Sequence, residues 1–225
     1  MTAVFVTATG TDIGKTFVTA GLVRAMRHRG KAVDAFKPVA SGFNPDQAAG
    51  SDSGILLTAL GKEVTPETLD EISPWRFAAP LSPDMAARRE GKMVDFDALV
   101  AFSRRAIDKA PDLTMIEGIG GLMVPLDERH TVADWIAALA LPSLLICGSY
   151  LGTISHTLTA LEVLARRNIE IVAVIINETL GSAVDLEETA SSLRHFAGPR
   201  RVISLPRLPS EGTWHPALQR IADLL

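Results

Sequence analysis

Residues 7–16 read TATGTDIGKT and directly follow the apolar run AVFV. Gly14, Lys15 and Thr16 form the ending of a phosphate-binding loop, although Thr9 stands where the full pattern has a glycine. In such a loop backbone N–H groups surround phosphate oxygens, the lysine neutralises the β and γ phosphates, and the hydroxyl binds Mg²⁺. The alternative is an ordinary strand-to-helix turn capped by threonine. The strand before the loop and the helix pattern after it favour a nucleotide site.

Three charged residues elsewhere in the chain could complete this site. Glu117 ends the apolar run LTMIE, where a carboxylate can hold Mg²⁺ directly or through water. Asp52 lies in AGSDSG and is either a turn former or a further metal ligand. Lys37 follows the run AVDAF. A lysine at a strand end is usually a solvated surface charge, but this one would project onto the same edge as Lys15.

Asn177 ends the apolar run in VIINET and is a candidate for nucleotide base recognition. Its side-chain amide offers donors and an acceptor, which suits the edge of a purine. An asparagine that simply terminates a strand is the alternative. The chain contains no Asn-Lys-x-Asp sequence, the guanine-reading arrangement of GTPases, so we expect ATP rather than GTP.

Six short apolar runs must position these residues; they cover residues 3–7, 32–37, 113–118, 143–148, 170–177 and 201–205. Their near-continuous hydrophobicity is typical of strands covered on both faces, as in a parallel sheet. Helical patterns lie between them: Val18, Leu22 and Met26 share one face, Ile154, Leu158, Leu161 and Ala165 share another, and residues 131–140 and 183–196 also predict helices. The alternation predicts an α/β fold with one doubly wound, mainly parallel sheet and helices on both faces.

Each apolar run is followed by a polar signature, in chain order TGTDIGKT, KPVASG, EGIGG, GSYLGT, NETLG and PRLPSEG. Ligands of such sheets gather at the carboxyl ends of the strands, so the six loops predict one site at one edge. The longest departure from the alternation is residues 38–94, rich in Pro, Gly and Ser, where we expect two short helices. A connection of that length inside a compact domain is usually functional.

Length and composition favour one soluble domain over residues 1–225, with 47% hydrophobic and 21% charged residues. The net charge of -4 offers no general attraction to nucleic acid or anionic membrane. The single cysteine, Cys147, lies in an apolar run and is expected to be a buried hydrophobe. The start of the chain lacks the features of a signal peptide, and no stretch has the length of a membrane span. We therefore expect a cytoplasmic enzyme or switch.

Seven motifs taken together resemble those of the dethiobiotin synthetases, a family of deviant phosphate-loop enzymes: TATGTDIGKT, FKPVASG, SDSG, MIEGIGGLMVPL, TVADW, YLGTISHTL and VIINET. The resemblance covers most of the chain in the family's order, from residue 3 to about 210. The resemblance implies closure of a cyclic urea from 7,8-diaminopelargonate, CO₂ and MgATP in biotin synthesis. In that reaction a carbamate of the substrate is phosphorylated to a carbamic-phosphoric anhydride, and the second amine then displaces phosphate.

The resemblance also implies roles for individual residues. Lys15, Lys37, Thr11 and Ser41 would be catalytic, and Thr16, Asp52 and Glu117 would surround Mg²⁺. The nucleotide would contact Asp12, Ile13, Gly14, Lys15, Thr16, Phe17, Asp52, Glu117, Gly118, Gly120, Asn177, Pro206, Arg207 and Leu208. The diamine or its carbamate would contact Ser41, Gly118, Gly120, Gly121, Pro125, Gly152, Thr153, Ile154 and Ser155.

The family's pattern further implies a homodimer with shared sites, because residues 152–155 begin a helix that serves the partner's substrate carboxylate. Four residues depart from that pattern. Ala8 and Gly10 stand where glycine and aspartate are usual, Asp12 replaces the commoner glutamate, and Ser155 replaces asparagine.

Two other functions have related sequences. A switch ATPase of the chromosome-partition or septum-placement kind carries a second lysine in the loop, at the position of Gly10. Its membrane-bound members end in a basic amphipathic helix, whereas the tail HPALQRIADLL is amphipathic through Leu218, Ile221 and Leu225 but weakly basic, so we expect it to dock onto its own domain. A cobyrinate-type amidotransferase needs an additional glutaminase domain with a catalytic cysteine, for which this chain has no room.

Overall fold

The computed structural model describes residues 3–109, 112–208 and 215–225. Within these ranges the strands are β1 (Ala3–Ala8), β2 (Val33–Phe36), β3 (Val39–Ser41), β4 (Trp75–Phe77), β5 (Leu113–Glu117), β6 (Ser143–Gly148), β7 (Ile171–Asn177) and β8 (Val202–Leu205). Six of them form one parallel sheet in the order β2-β5-β1-β6-β7-β8. All six strands predicted from the apolar runs are therefore confirmed, as is the parallel sheet.

The helices of the same ranges are α1 (Lys15–His28), α2 (Asp52–Ala59), α3 (Pro66–Ile72), α4 (Pro83–Arg89), α5 (Phe96–Lys109), α6 (Val132–Leu139), α7 (Thr153–Arg166), α8 (Leu186–Phe196) and α9 (Pro216–Ala222). One hydrophobic cluster joins the sheet to α1, α2, α3 and α9, and a second joins its other face to α4, α5, α6, α7 and α8. Helices thus cover both faces, as the sequence predicted.

The strand β6 shows why polar and apolar residues do not alternate in the six apolar runs of the sequence. Leu144 and Ile146 belong to the first cluster, while Leu145 and Cys147 belong to the second. Successive side chains of a strand point to opposite faces, so a strand covered on both sides needs an apolar residue at every position. Cys147 is fully buried, which confirms its prediction as a small hydrophobe.

Residues 38–94 hold more regular structure than the two short helices expected from the sequence. They form a 3-10 helix (Pro45–Gly50), α2, α3, α4 and a small parallel sheet of β3 and β4. Two of the prolines in this segment are helix-start residues: α3 and α4 begin at Pro66 and Pro83, which fits the fixed φ of proline at the first turn.

The predicted amphipathic faces are confirmed for α1 and in part for α7. Val18, Leu22 and Met26 are buried on α1. On α7, Leu161 is buried and Ile154 and Leu158 are half-buried, but Ala165 is exposed. Besides Leu161, the buried residues of α7 are Thr153, Thr157, Ala160 and Leu164. The buried face is therefore rotated relative to the predicted one.

The C-terminal helix α9 docks onto α1, as the amphipathic tail predicted. Leu218 and Ile221 are buried in the first cluster. A Cβ at Gly21 of α1 would lie 2.9 Å from Leu218 Cδ1, so the missing side chain at this position allows the two helices to approach closely. Leu225 packs partly buried against the same cluster.

Candidate functional site

The loop between β1 and α1 has the backbone of an anion-binding turn. Gly14, with φ 99° and ψ 29°, lies in the left-handed region and precedes the first residue of α1, Lys15. Asp12 also has a positive φ, 55°. Because glycine has no side chain to cap the helix, the N–H groups of its first turn stay available to an anion, and the helix dipole favours negative charge there. The loop follows one of the two central strands of the sheet.

Lys15 is buried beneath this loop and bonded to carbonyl groups. Its Nζ donates to Gly120 O at 2.7 Å and to Gly10 O at 3.1 Å. Burial, followed by the nearby positive charge of Lys37, lowers the pKa of Lys15 to about 8. A buried ammonium held only by neutral carbonyls gains most from an anion placed beside it.

Lys37 is buried as well, which excludes the alternative of a solvated surface charge. Its Nζ lies 2.8 Å from Glu117 Oε1, 3.0 Å from Asp52 Oδ2 and 2.8 Å from Gly118 O. Burial alone would lower the pKa of Lys37, but the two carboxylates outweigh it and raise the pKa above its ordinary value. Lys37 therefore carries a full positive charge at neutral pH.

The two carboxylates around Lys37 have different exposures. Glu117 is fully buried at the end of β5, whereas the Asp52 side chain is 49% exposed at the start of α2. Burial raises the pKa of the Asp52 carboxyl, but the Lys37 ammonium outweighs it and the pKa lies below its usual value. Thr16 donates to Glu117 Oε1 at 2.7 Å. The metal-ligand candidates thus form one connected cluster.

A cavity of about 460 Å³ opens above this cluster. Most of the predicted catalytic and phosphate-binding residues line it, namely Thr11, Asp12, Gly14, Lys15, Thr16, Lys37, Ser41, Asp52 and Gly120. The sequence prediction missed its apolar residues, Ala40, Phe43 and Ile119. All three lie inside or directly beside quoted motifs, FKPVASG and EGIGG, which is the signal that could have identified them.

A second cavity of about 490 Å³ adjoins the first and shares Asp12 and Gly14 with it. Of the residues predicted to contact the nucleotide, it is lined by Asp12, Ile13, Gly14, Phe17, Asn177, Arg207 and Leu208. Glu178, Thr179 and Leu180 also line it and were missed, although they belong to the polar loop that follows β7. The amide of Asn177 donates from Nδ2 to Ile13 O at 2.9 Å.

The remaining predicted residues lie beside the cavities or away from them. Gly118 contributes its carbonyl to Lys37, and Gly121 is buried, with the position of a Cβ 3.1 Å from Thr9 O. Pro125 is exposed and paired with Thr131 through a single antiparallel bridge. Pro206 follows β8 and is not among the residues around the second cavity, and of the sixth polar loop residues 209–212 lie outside the described ranges.

Residues 152–155 begin α7 and border neither cavity of this chain. Gly152 and Ser155 are exposed and Ile154 is half-buried, while Thr153 is buried and donates to Gly148 O at 2.7 Å. Gly152 has φ 99°, which places the first turn of α7 behind another left-handed glycine. The predicted carboxylate site at this helix start is therefore geometrically separate from the lysine cluster.

The oxygen donors of the cluster fit Mg²⁺. Glu117 Oε2 is buried and, among the described residues, has no hydrogen-bond partner. Thr16 and Asp52 add a hydroxyl and a second carboxylate on the same side. Within residues 3–109, 112–208 and 215–225 no three His, Cys, Asp or Glu side chains group as a metal centre. A small hard cation that shares its coordination between carboxylate, hydroxyl, water and phosphate oxygens matches such a donor set.

Comparison with known proteins gives the family. The model of a family described as an AAA domain matches residues 2–212. The ATP-dependent dethiobiotin synthetase BioD of Acidiphilium cryptum is 48% identical over 224 residues, covering 99% of both chains. The BioD of Phenylobacterium zucineum is 46% identical over 220 residues, covering 97% of this chain and 94% of its own. The chain belongs to the ATP-dependent dethiobiotin synthetase family. The family and the ATP-dependent ligase activity predicted from the motifs are thereby confirmed.

Solved structures with similar folds come from more distant proteins. The MinD cell division ATPase of Pyrococcus furiosus has a TM-score of 0.56 at 16% identity, covering 100% of this chain and 98% of its own. The MinC:MinD complex of Aquifex aeolicus has a TM-score of 0.58 at 13% identity, covering 99% of this chain and 93% of its own. At this identity the likeness shows only that this chain shares the fold of those proteins. In the described ranges no helix combines the length and hydropathy needed to cross a membrane.

Proposed function

We propose that this synthetase closes the cyclic urea of dethiobiotin from 7,8-diaminopelargonate, CO₂ and ATP, within a single domain that spans residues 1–225. The observation that carries the proposal is that Lys15 and Lys37 both line a cavity beside the loop, where Lys37 is bonded to the buried Glu117. Two buried ammonium groups, one of them at the first residue of α1, suit a reaction in which the carbamate, the transferred phosphoryl group and the leaving phosphate are all anionic.

The first step forms a carbamate. One amine of the substrate attacks the carbon of CO₂, a C–N bond forms as one C=O electron pair moves onto oxygen, and the amine proton passes to water. Lys37 is charged at neutral pH and stabilises the new carboxylate, while Thr11 and Ser41 line the same cavity and offer hydroxyl donors to it. Ala40, Phe43 and Ile119 supply an apolar side for the aliphatic chain.

The second step activates the carbamate. Its oxygen attacks the γ-phosphorus of ATP, an O–P bond forms, and the bond to ADP breaks. Lys15 and the first-turn N–H groups of α1 stabilise the charge that develops on the phosphoryl oxygens. Lys37, 2.8 Å from Glu117, is held within the same cluster and neutralises the attacking carbamate.

The third step closes the ring. The second amine attacks the carbonyl carbon of the mixed anhydride, the C–O bond to phosphate breaks, and the amine proton leaves with inorganic phosphate. Phosphorylation has converted a poor leaving oxygen into a good one. The protein needs only to hold the amine and the anhydride in line and to exclude water from the carbonyl.

Thr16, Asp52 and Glu117 would hold Mg²⁺. When bound, the cation neutralises the β- and γ-phosphate oxygens as ATP is consumed. Asn177, Arg207 and Leu208 border the second cavity, where the nucleotide base would lie.

The active enzyme would be a homodimer. The start of α7 at residues 152–155 borders neither cavity of its own chain, so its first-turn N–H groups can serve the substrate carboxylate of a partner. We assign this enzyme to the cytoplasm, in keeping with a net charge of -4 that attracts neither nucleic acid nor anionic membrane.

Measurement of ATP hydrolysis with and without diaminopelargonate and bicarbonate tests the proposal, with labelled carbon followed into the product. Hydrolysis should depend on both additions, and the label should appear in a cyclic urea. A switch ATPase would hydrolyse ATP at the same rate in every mixture, and that result would exclude the proposed reaction.

A further inference from the structure

Asn177 contacts the phosphate loop directly. It is the last residue of β7, and its Nδ2 donates to Ile13 O at 2.9 Å across a sequence separation of 164 residues. The carbonyl can only accept, so this bond also defines which end of the amide faces the loop. Asn177 is therefore bound to the loop in this structure without any contribution from a base.

The absence of a side chain at Gly14 allows Asn177 to lie close to the backbone of the loop. A Cβ at this position would overlap Asn177 Nδ2, so the amide packs directly against the backbone of Gly14. The positive φ of Gly14, 99°, belongs to the same turn. Asn177 thus contacts Ile13 and Gly14, the two residues immediately before Lys15. Position 14 requires glycine because its φ is positive and because a side chain would overlap the Asn177 amide.

We propose that Asn177 positions the phosphate loop and so contributes to phosphate binding without contacting phosphate. This inference rests on the proposed use of ATP. In a trans peptide the C=O and the N–H point in opposite directions. A hydrogen bond that fixes Ile13 O towards Asn177 therefore directs the Gly14 N–H away from Asn177, which presents it to the anion. Gly14 borders both cavities, so its orientation affects both.

The side-chain amide of Asn177 also has polar groups that can bind a ligand in the second cavity. Asn177 Oδ1 and the second hydrogen of Nδ2 are not needed for the bond to Ile13, and Asn177 lines that cavity. One side chain then serves both the base and the phosphates, and its loss should weaken ligands that have no base at all.

Tripolyphosphate separates the two roles, because it has the phosphates of ATP without the base. Binding of tripolyphosphate and of ATP, each with Mg²⁺, is measured by calorimetry for the wild-type protein, Asn177→Leu and Leu208→Ala. Leucine keeps the size of asparagine but cannot donate. Leu208 lines the same cavity without a bond to the loop and is the matched control.

Asn177→Leu should weaken tripolyphosphate roughly fivefold to tenfold for one lost hydrogen bond, and it should weaken ATP by at least that factor because the base loses a partner as well. Leu208→Ala should weaken ATP and leave tripolyphosphate within about twofold. Asn177→Ser, which is too short to reach Ile13 O, should reproduce the loss if leucine disturbs folding. Wild-type affinity for tripolyphosphate in folded Asn177 variants that have lost ATP affinity would overturn the inference. A common loss of both ligands supports it whatever the diamine assay of the proposed reaction shows.

Discussion

The Lys37 ammonium lies 2.8 Å from Glu117 Oε1, and both side chains are almost completely buried. Thr16 donates to the same carboxylate oxygen at 2.7 Å, while the other oxygen, Oε2, has no hydrogen-bond partner in the described part of the chain. One carboxylate therefore links the lysine proposed to stabilise carbamate with the hydroxyl proposed to bind Mg²⁺. The predictions below test these roles separately.

Lys37→Met should abolish turnover and also destabilise the fold. Removal of the ammonium leaves Glu117 buried without its cation, which for buried pairs costs about 3–5 kcal/mol in the free energy of unfolding. Turnover should fall by at least about 100-fold because the anionic reactants lose an electrostatic partner. Steady-state kinetics and thermal melts measure the two effects.

The double variant Lys37→Met/Glu117→Gln separates stability from chemistry. It removes both charges, so its melting temperature should recover most of the loss while its turnover stays low. Recovery of turnover together with stability would mean that Lys37 acts only through folding.

Glu117→Gln should raise the Mg²⁺ concentration needed for half-maximal activity. The substitution keeps the shape of the side chain but removes the charge that attracts the cation, and we expect a shift of roughly 10- to 100-fold. Glu162→Gln, which changes an exposed carboxylate on α7, is the control and should leave the magnesium titration unchanged. An unaltered titration in Glu117→Gln would remove this residue from the metal site.

Two inactive variants should complement each other if the active site is shared between subunits. Lys37→Ala disables the lysine cluster, and Ser155→Glu places a negative charge at the start of α7, where it would repel a substrate carboxylate. Random mixing of the two subunits, after unfolding and refolding together, should restore about a quarter of wild-type sites. If Ser155 serves its own chain, the mixture should stay as inactive as its components.

Cys147 should be unreactive towards thiol reagents in the folded protein. Burial raises the pKa of the Cys147 thiol to about 11, so very little thiolate exists at pH 8.5. A disulfide reagent added at that pH should react only after denaturant is present. Rapid labelling of the native protein would contradict the buried position.

The raised pKa of the Cys147 thiol also predicts how the free energy of unfolding depends on pH. Because the pKa of Cys147 is higher in the folded state than in the unfolded state, the unfolded chain loses its proton first. The contribution of the protonated thiol to the free energy of unfolding should therefore be complete below about pH 9 and decline as the pH rises towards 11. Comparison of Cys147→Ala with wild type in denaturant titrations isolates this contribution.

The amino-acid sequence was enough to predict the six strands, the parallel sheet and the loop that ends in Lys15 and Thr16. These features depend on short-range patterns: apolar runs covered on both faces, and a strand, a glycine turn and a helix in succession. It also identified Lys37 and Glu117, because residues at the carboxyl ends of parallel strands share one edge. Asp52 begins α2 instead, and its local pattern left a turn former and a metal ligand as alternatives. Each of these predictions needs no knowledge of which strands are neighbours.

The interactions among those residues depend on how the chain folds. Lys37 and Glu117 are 80 residues apart in the sequence. Their buried hydrogen bond can form because β2 pairs with β5 in the sheet. The contact of Asn177 with Ile13 spans 164 residues, and the helices and small sheet of residues 38–94 bring Phe43 to the cavity. A local pattern reports which face of an element is apolar, whereas burial, ion pairing and pKa depend on atoms that the fold brings from distant parts of the chain.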